Sequence, residues 1–446
     1  MCGKPRFILF CASAFILCGF VSAQAESLSE SVVFALKHHP SIDGAQASLN
    51  AAEQSKSVEK ANYFPELSVD AAGGRTYQDN STSRGLISTR GAAYSGYGEA
   101  NIALRQMMFD GLETTHRVRA AQARIKSRDY SLLDVEEQIT LRTAESYIEI
   151  LRLRAALTLL DKHTENIKDY EARITDMVIE GVSDEADRQQ ARDVSMVMES
   201  LRADYEGQIM SARAAFAEAV GSLPPSEMVM PTSLQSYINE DTATVIENAK
   251  AIHPLLQVAR MDSQAARHDM KATNAGFYPD VSGELSYSKL DKKDVIGGES
   301  KDARALVRMS WDISLGGKQF AAMRQKRFEH YEARAKSEEL EREIERDIYQ
   351  SYAAYRTYKR KYQLAKDRVD LNKKLLDAYK TQFEGARINL LQLMKAESQS
   401  FNALLEESDN GYYLISSEYG VLASVGELRS TLFSVDEILS EKEQGK

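Results

Sequence analysis

The sequence predicts a mainly α-helical chain with a small membrane-spanning β part, built as a tandem repeat. Each half is read as a long helical hairpin carrying one β-hairpin. Three observations carry this. Two tracts, Leu112–Glu180 and Lys318–Glu384, run for 69 and 67 residues without glycine or proline. The stretch "NYFPELS" at 62–68 returns as "GFYPDVS" at 276–282. After each of these junctions the apolar period changes from 3.6 to 2.

The first 23 residues are set apart as a signal peptide. Lys4 and Arg6 precede the uncharged run "FILFCASAFILCGF", and Val21 and Ala23 are small residues before a cut after Ala23, with Ala25 as the second choice. Leu17 stands before Cys18 where a lipidation signal needs a small residue. All three cysteines lie in this leader, so the remaining chain has no disulfide and no thiolate ligand. Losing Lys4 and Arg6 takes the net charge from −10 to −12. An acidic chain of this kind is a poor partner for nucleic acid. No other apolar run reaches the roughly 20 residues of a helical span, so any membrane crossing must be a barrel.

The long tracts are rich in Ala, Leu, Arg, Glu and Lys, which lose little entropy in a helix. At about 100 Å each they need packed neighbours for apolar stripes such as Leu132, Val135, Ile139, Ala144 and Ile148. Gly181 and Gly385 follow them as helix caps and tip hinges, and shorter helices return over 184–220 and 390–425. "HHP" at 38–40 answers "IHP" at 252–254. The repeats therefore span 27–221 and 242–426, with a connector at 222–253 and a tail at 427–446. In each repeat the two shorter helices, end to end, fall ten residues short of the long one. A belt at mid-height, made from the connector and the short helix Leu28–His38, is expected to fill that gap.

Strands are expected at about 66–109 and 280–312. In "DARALVRMSW", Ala303, Ala305, Val307, Met309 and Trp311 share one face and Arg304, Arg308 and Ser310 the other. "EANIALRQM" alternates in the same way. Strands of about ten residues suit a tilted crossing. Four strands leave open edges, which lipid does not tolerate, so copies must combine into eight or twelve. Pro65 and Pro279 are then helix-to-strand breakers. Tyr63, Phe64, Phe109, Phe277, Tyr278 and Trp311 are the membrane-interface aromatics.

Together with "LRQMMFDGLETTHRVRAAQAR", "AESYIEILRLR", "WDISLGGKQFAAMRQ" and "AYKTQFEGARINLLQLMKAESQSFNALL", this order resembles the TolC family of outer-membrane export ducts. These stretches are most similar to the branch serving type I protein secretion. The resemblance implies a homotrimer with a twelve-stranded barrel and a long helical tunnel in the periplasm, closed at its far tip. It also implies a periplasmic membrane-fusion adaptor and an inner-membrane ABC exporter as partners, or an RND pump where the duct serves small-molecule efflux. "GVSDEAD" and "GARINLL" match the family's tip motifs and imply gate bonds through Asp187 and Arg387. The family's two ring aspartates are replaced here by Gln392 and Lys395, with Glu397 the nearest acidic substitute.

Catalytic, cofactor and metal sites are not expected. "SYSK" at 286–289 lies in a strand and "SDN" at 408–410 in a helix, without the third box of a serine hydrolase. "GGK" at 316–318 lacks the rest of a phosphate loop, and His38–His39 reads as helix-end packing. A non-channel coiled-coil spacer is the remaining alternative, disfavoured because a spacer needs no barrel.

Overall fold

The computed structural model describes residues 27–78, 93–292, 299–385 and 387–435. The leader and most of both polar hairpin tips lie outside them. Helix α1 (Leu28–His38) opens on a capping box, with Ser27 and Glu30 each accepting the other's backbone N–H. His39 caps α2 (Pro40–Ala61) by accepting from Ser41 N at 3.1 Å, and His38 Nδ1 lies 2.9 Å from the Phe34 carbonyl. Both histidines of the pair are thus engaged at helix ends.

Strands β1 (Glu66–Gln78) and β2 (Ala93–Phe109) follow, then the long helix α3 (Glu113–Ile179) and its return α4 (Glu185–Val220). The second repeat comprises α5 (Thr242–Ile252), α6 (Pro254–Thr273), β3 (Asp280–Lys292), β4 (Glu299–Ser310), α7 (Lys318–Glu384) and α8 (Leu390–Val425). The long helices have 67 residues each, about 100 Å, and the return helices 36 each. The four strands make one antiparallel sheet in the order β1-β2-β3-β4. Near the sheet the helices lie side by side as α2-α3-α6-α7, and toward the far tip as α4-α3-α8-α7.

A strap crosses this layer at mid-height. Arg154 donates to the Pro225 and Ser226 carbonyls, and the Tyr147 hydroxyl to the Val229 carbonyl at 2.8 Å. Next the Tyr419 hydroxyl donates to Thr232 O, while buried Glu418 accepts from Ser233 Oγ and Leu234 N. Finally Tyr352 reaches Asn239 O at 2.8 Å and Arg356 the Glu240 carbonyl. The strap therefore passes over α3, α8 and α7 in turn, tied by Tyr147 and Tyr352 at equivalent positions of the two repeats. Beside it, α1 buries Leu28, Val32 and Ala35 against the first hairpin's core, and α5 buries Val245, Ile246 and Ala249 against the second.

Within the 427–446 segment, residues 428–435 are helical and bury Leu428, Leu432 and Val435. The buried Glu137 carboxylate accepts from Leu428 N and Arg429 N, closing the helix's open donors, and Arg429 pairs with Glu136 at 3.3 Å. The sequence reading missed this element because one eight-residue apolar stripe carries little periodic signal.

At the sheet-to-helix corner of the first repeat, Gly111 and Leu112 both have positive φ, +63° and +70°. The position equivalent to Leu112 in the second repeat is Gly317, φ +72°. A left-handed leucine costs about 1–2 kcal/mol, of which glycine's extra unfolded-state freedom cancels about half. Leu112→Gly is expected to raise the thermal midpoint of the assembled protein by roughly 1–3 °C in a melt followed by circular dichroism. Gly111→Ala is expected to lower it, because a Cβ there would sit 2.9 Å from Ala275 Cα.

Burial lifts Glu137 to about 7, more than the Arg429 and Leu428 N–H donors and the Arg429 charge pull it down. The docked form thus holds a proton that the undocked carboxyl releases. Docking is fully supported below the ordinary carboxylate range and weakens as pH rises toward 7. Hydrogen-exchange protection of residues 428–435, corrected for the intrinsic rate, should fall from pH 5 to pH 7.5, and Glu137→Gln should abolish that slope.

Candidate functional site

Register sorts the sheet into two faces, because residues paired across neighbouring strands point the same way. One face carries the rows Leu67–Leu104–Leu285–Ala305 and Val69–Ile102–Tyr287–Ala303. Val307 and Met309 extend it, 72% and 63% exposed in the single chain. The other face carries Glu66–Arg105–Glu284–Leu306, Ser68–Ala103–Ser286–Arg304 and Asp70–Asn101–Ser288–Asp302. Arg308 bonds Glu284 on this side at 3.1 Å, and Arg304 bonds Asp302. An apolar face this continuous belongs in lipid, and the charged face belongs in water.

Pro65 and Pro279 each stand one residue before a strand. Tyr63, Phe64, Phe109, Tyr278 and Trp311 are exposed around the base of the sheet. Tyr63 is steadied by a 3.1 Å bond to Thr115 Oγ1, and Phe109 meets Tyr278 edge to face. Phe277 is half-buried, its ring 5.1 Å from Phe320, which is itself exposed in the first turn of α7. Ile313 and Leu315 are exposed at the base as well. The alternation that ends in Trp311 continues through both of them, a signal the sequence reading stopped short of using.

At the far tip, Gly181 adopts φ +75° and closes α3 with Val182 N donating to Met177 O at 2.8 Å, the left-handed cap its position implied. Gly385 caps α7 with φ −82°, a conformation open to any residue, so glycine is not required there by the backbone. Asp187 lies in the first turn of α4 and accepts from Ser183 Oγ at 2.7 Å. The Arg387 side chain is exposed, and among the described residues it bonds neither Asp187 nor any other carboxylate. Gln392 and Lys395 are exposed on α8, between buried Leu391, Leu393, Met394 and Ala396. With Gln399, Asn402 and Glu406 they form one exposed stripe at a spacing of three and four. Glu397 lies off that stripe, buried and accepting from Asn166 Nδ2 at 2.9 Å, so it does not substitute for a ring aspartate.

The seam between α3 and α8 is graded along its length. Toward mid-height, buried Arg152 forks between Glu149 and Asp409 beneath the Tyr413 ring, and both carboxylates push its guanidinium further up. Below it His163 stacks flat on Phe401 at 4.3 Å, and burial holds its imidazole down at about 4. Asn166–Glu397 comes next. From there to the tip no polar side-chain bond joins α3 to α8 among the described residues. Ile167 and Ile174 belong there to one apolar core with Leu390, Leu391, Leu393 and Met394. Among the described residues no group of three metal-ligating side chains comes together.

The family described as outer membrane efflux protein matches residues 32–222 and 245–427, once on each repeat. The outer membrane efflux protein BepC of Brucella suis biovar 1 (strain 1330) is 22% identical over 430 residues, covering 94% of this chain and 90% of that protein. A membrane protein from Pseudomonas aeruginosa has the same fold, with a TM-score of 0.78 at 18% identity over 89% of this chain and 93% of that one. The CmeC outer membrane channel of Campylobacter jejuni gives 0.77 at 14% identity, over 90% and 86%.

Proposed function

The chain belongs to the outer membrane efflux protein family, and from that premise we propose that three copies close into one export duct. The observation that carries this is the two-faced sheet whose outer strands β1 and β4 each pair with one neighbour only among the described residues. In order, β4 of one copy runs antiparallel to β1 of the next. An eight-stranded barrel is filled by its own side chains, whereas twelve strands leave a bore. Arg105, Glu284, Arg304 and Arg308 on the inner face need the water of such a bore.

The helices continue the duct into the periplasm, and the tip is its gate. Gly181 and Gly385 mark the tip turns, and Asp187 and Arg387 tie neighbouring hairpins. The seam without polar bonds supports this role, because apolar surfaces slide without leaving a buried donor unpaired. The exposed stripe through Gln392 and Lys395 is assigned to the constriction. Three ammonium groups within one Debye length, about 8 Å at physiological salt, raise the cost of a passing cation. Single channels in planar bilayers should be weakly cation-selective or anion-selective and resist block by hexamminecobalt. Lys395→Asp should bring cation selectivity and block, both shrinking as salt rises; strong cation selectivity in the wild type would remove Lys395 from the bore.

For cargo, type I secretion of a large protein is favoured, with a membrane-fusion adaptor and an ABC exporter as partners. Its support is the likeness of the helix stretches to that branch. Small-molecule efflux with an RND pump is the second reading, supported by the name of the Brucella relative. Deleting the gene separates them. Loss of one or more large proteins from the culture medium with unchanged drug sensitivity supports secretion; an intact secretome with several-fold lower inhibitory concentrations supports efflux.

A further inference from the structure

Both long helices begin at the base of the sheet, and both are rich in cations over their first few turns. The positive end of the macrodipole favours acidic residues in the first turn. The first turn of α7 has none, and Lys318, Arg324, Lys326 and Arg327 precede its first acid, Glu329. In α3, Glu113 is followed by Arg117, Arg119, Arg124, Lys126 and Arg128. This happens in a chain whose net charge is −10. Some of these cations are used internally: Arg117 pairs with Glu113, Arg124 with Asp269 and Lys326 with Glu329. Arg119 and Arg324 are exposed and have no carboxylate partner among the described residues.

These two arginines are equivalent. Each is the seventh residue of its long helix, and each precedes a strap-bonded tyrosine, Tyr147 or Tyr352, by 28 residues. Twenty-eight residues make eight turns in a helix wound at about 3.5 residues per turn, as packed long helices are. Arg119 and Arg324 therefore lie on the strap's side of the helical layer. A strap through the bore would obstruct it, so that side is the outside of the duct.

Their height fits as well. The seventh residue lies roughly 10 Å below the start of the helix. Helical side chains tilt toward the N-terminus, which here means toward the membrane. Arg324 does so, its Nε 3.4 Å from the Phe320 carbonyl. The interfacial zone of a bilayer is about 5–8 Å deep on each side, within reach of a side chain of this length. Around Arg119 the positive field is visible in two neighbours, His116 and His268, whose Nδ1 atoms lie 3.5 Å apart. Burial first, then Arg119 and Lys271, hold the His116 imidazole below its usual range; burial, then His116, Lys271 and Arg119, do the same for His268.

We propose that Arg119 and Arg324, with their copies around the trimer, form a collar that binds the phosphate groups of anionic phospholipids in the periplasmic leaflet. It rests on the outer-membrane duct reading. Trimers reconstituted in nanodiscs of phosphatidylcholine with a minority of phosphatidylglycerol are released into detergent, and retained lipid is counted by native mass spectrometry. Wild type should retain phosphatidylglycerol over phosphatidylcholine, with the excess lost in high salt. Preference should fall about fivefold for each arginine removed in Arg119→Gln and Arg324→Gln, and Arg119→Lys with Arg324→Lys should keep most of it. Equal retention of both lipids by wild type, or an unchanged preference in the double glutamine variant, would overturn the collar. So would inorganic phosphate displacing the lipid at equal charge, which would mark a free-phosphate site. Heat-modifiable gel migration of the same samples reports the barrel separately: a trimer with a barrel signature but no lipid preference sinks the collar alone, and no barrel signature sinks both readings.

Discussion

Two bare strand edges govern this chain. Among the described residues β1 and β4 each pair with one neighbouring strand only, and lipid offers no partner to an open edge. The apolar rows through Leu67, Val69, Leu285 and Val307 make lipid the only comfortable medium for one side of that sheet. A structure with that face must close. Closure by copies sets the symmetry, and the helices that grow from the strand ends inherit it. The corner residues gain importance for the same reason: Gly111 and Leu112 turn the chain from sheet to helix at a place where the geometry has no slack.

Below the corner, stiffness is distributed unevenly. The belt is bonded many times over: the strap by tyrosine hydroxyls, the Arg154 fork and Glu418, and the helix of residues 428–435 by Glu137. Breaking the Glu418 or Glu137 bonds leaves a buried polar group without a partner, which costs more than the bond contributes. Toward the tip the α3/α8 seam passes from the buried Arg152 fork to a single amide–carboxylate bond, and then to apolar contact alone. Polar bonding is thus concentrated at mid-height and gives way to apolar contact alone at the tip.

Most of the fold was legible because the signals are long. Glycine-free and proline-free tracts of nearly seventy residues, repeated junctions and period-two strands are averaged over many positions, so a few exceptions such as Leu306 do no harm. What escaped depends on single contacts. Glu137 reads as a surface residue until the helix of residues 428–435 arrives 291 residues later to be capped by it. Gly385 sits where glycine ends helices, yet its backbone makes no demand for it. Glu397 is an acid at a plausible spacing, but the facing helix claims it through Asn166. The strap-side position of Arg119 and Arg324 was hidden in the same way, since a helical wheel cannot tell outside from inside without a landmark.

The two repeats match residue for residue below the sheet: Lys318 follows Glu113, and Leu390 follows Glu185, by the same 205 positions. Both hairpins therefore turn at one depth. An insertion in one long helix alone would push its tip out of step by 1.5 Å per residue and rotate its apolar stripe away from its neighbours. Adding about 10 Å of reach takes seven residues in each of four helices. Single-site evolution moves easily through the belt, the hairpin tips and the strap, but it has no small step that makes the tube longer. The gap such a tube can bridge is thus inherited from the ancestral duplication, and whatever meets its far end has had to come to that distance.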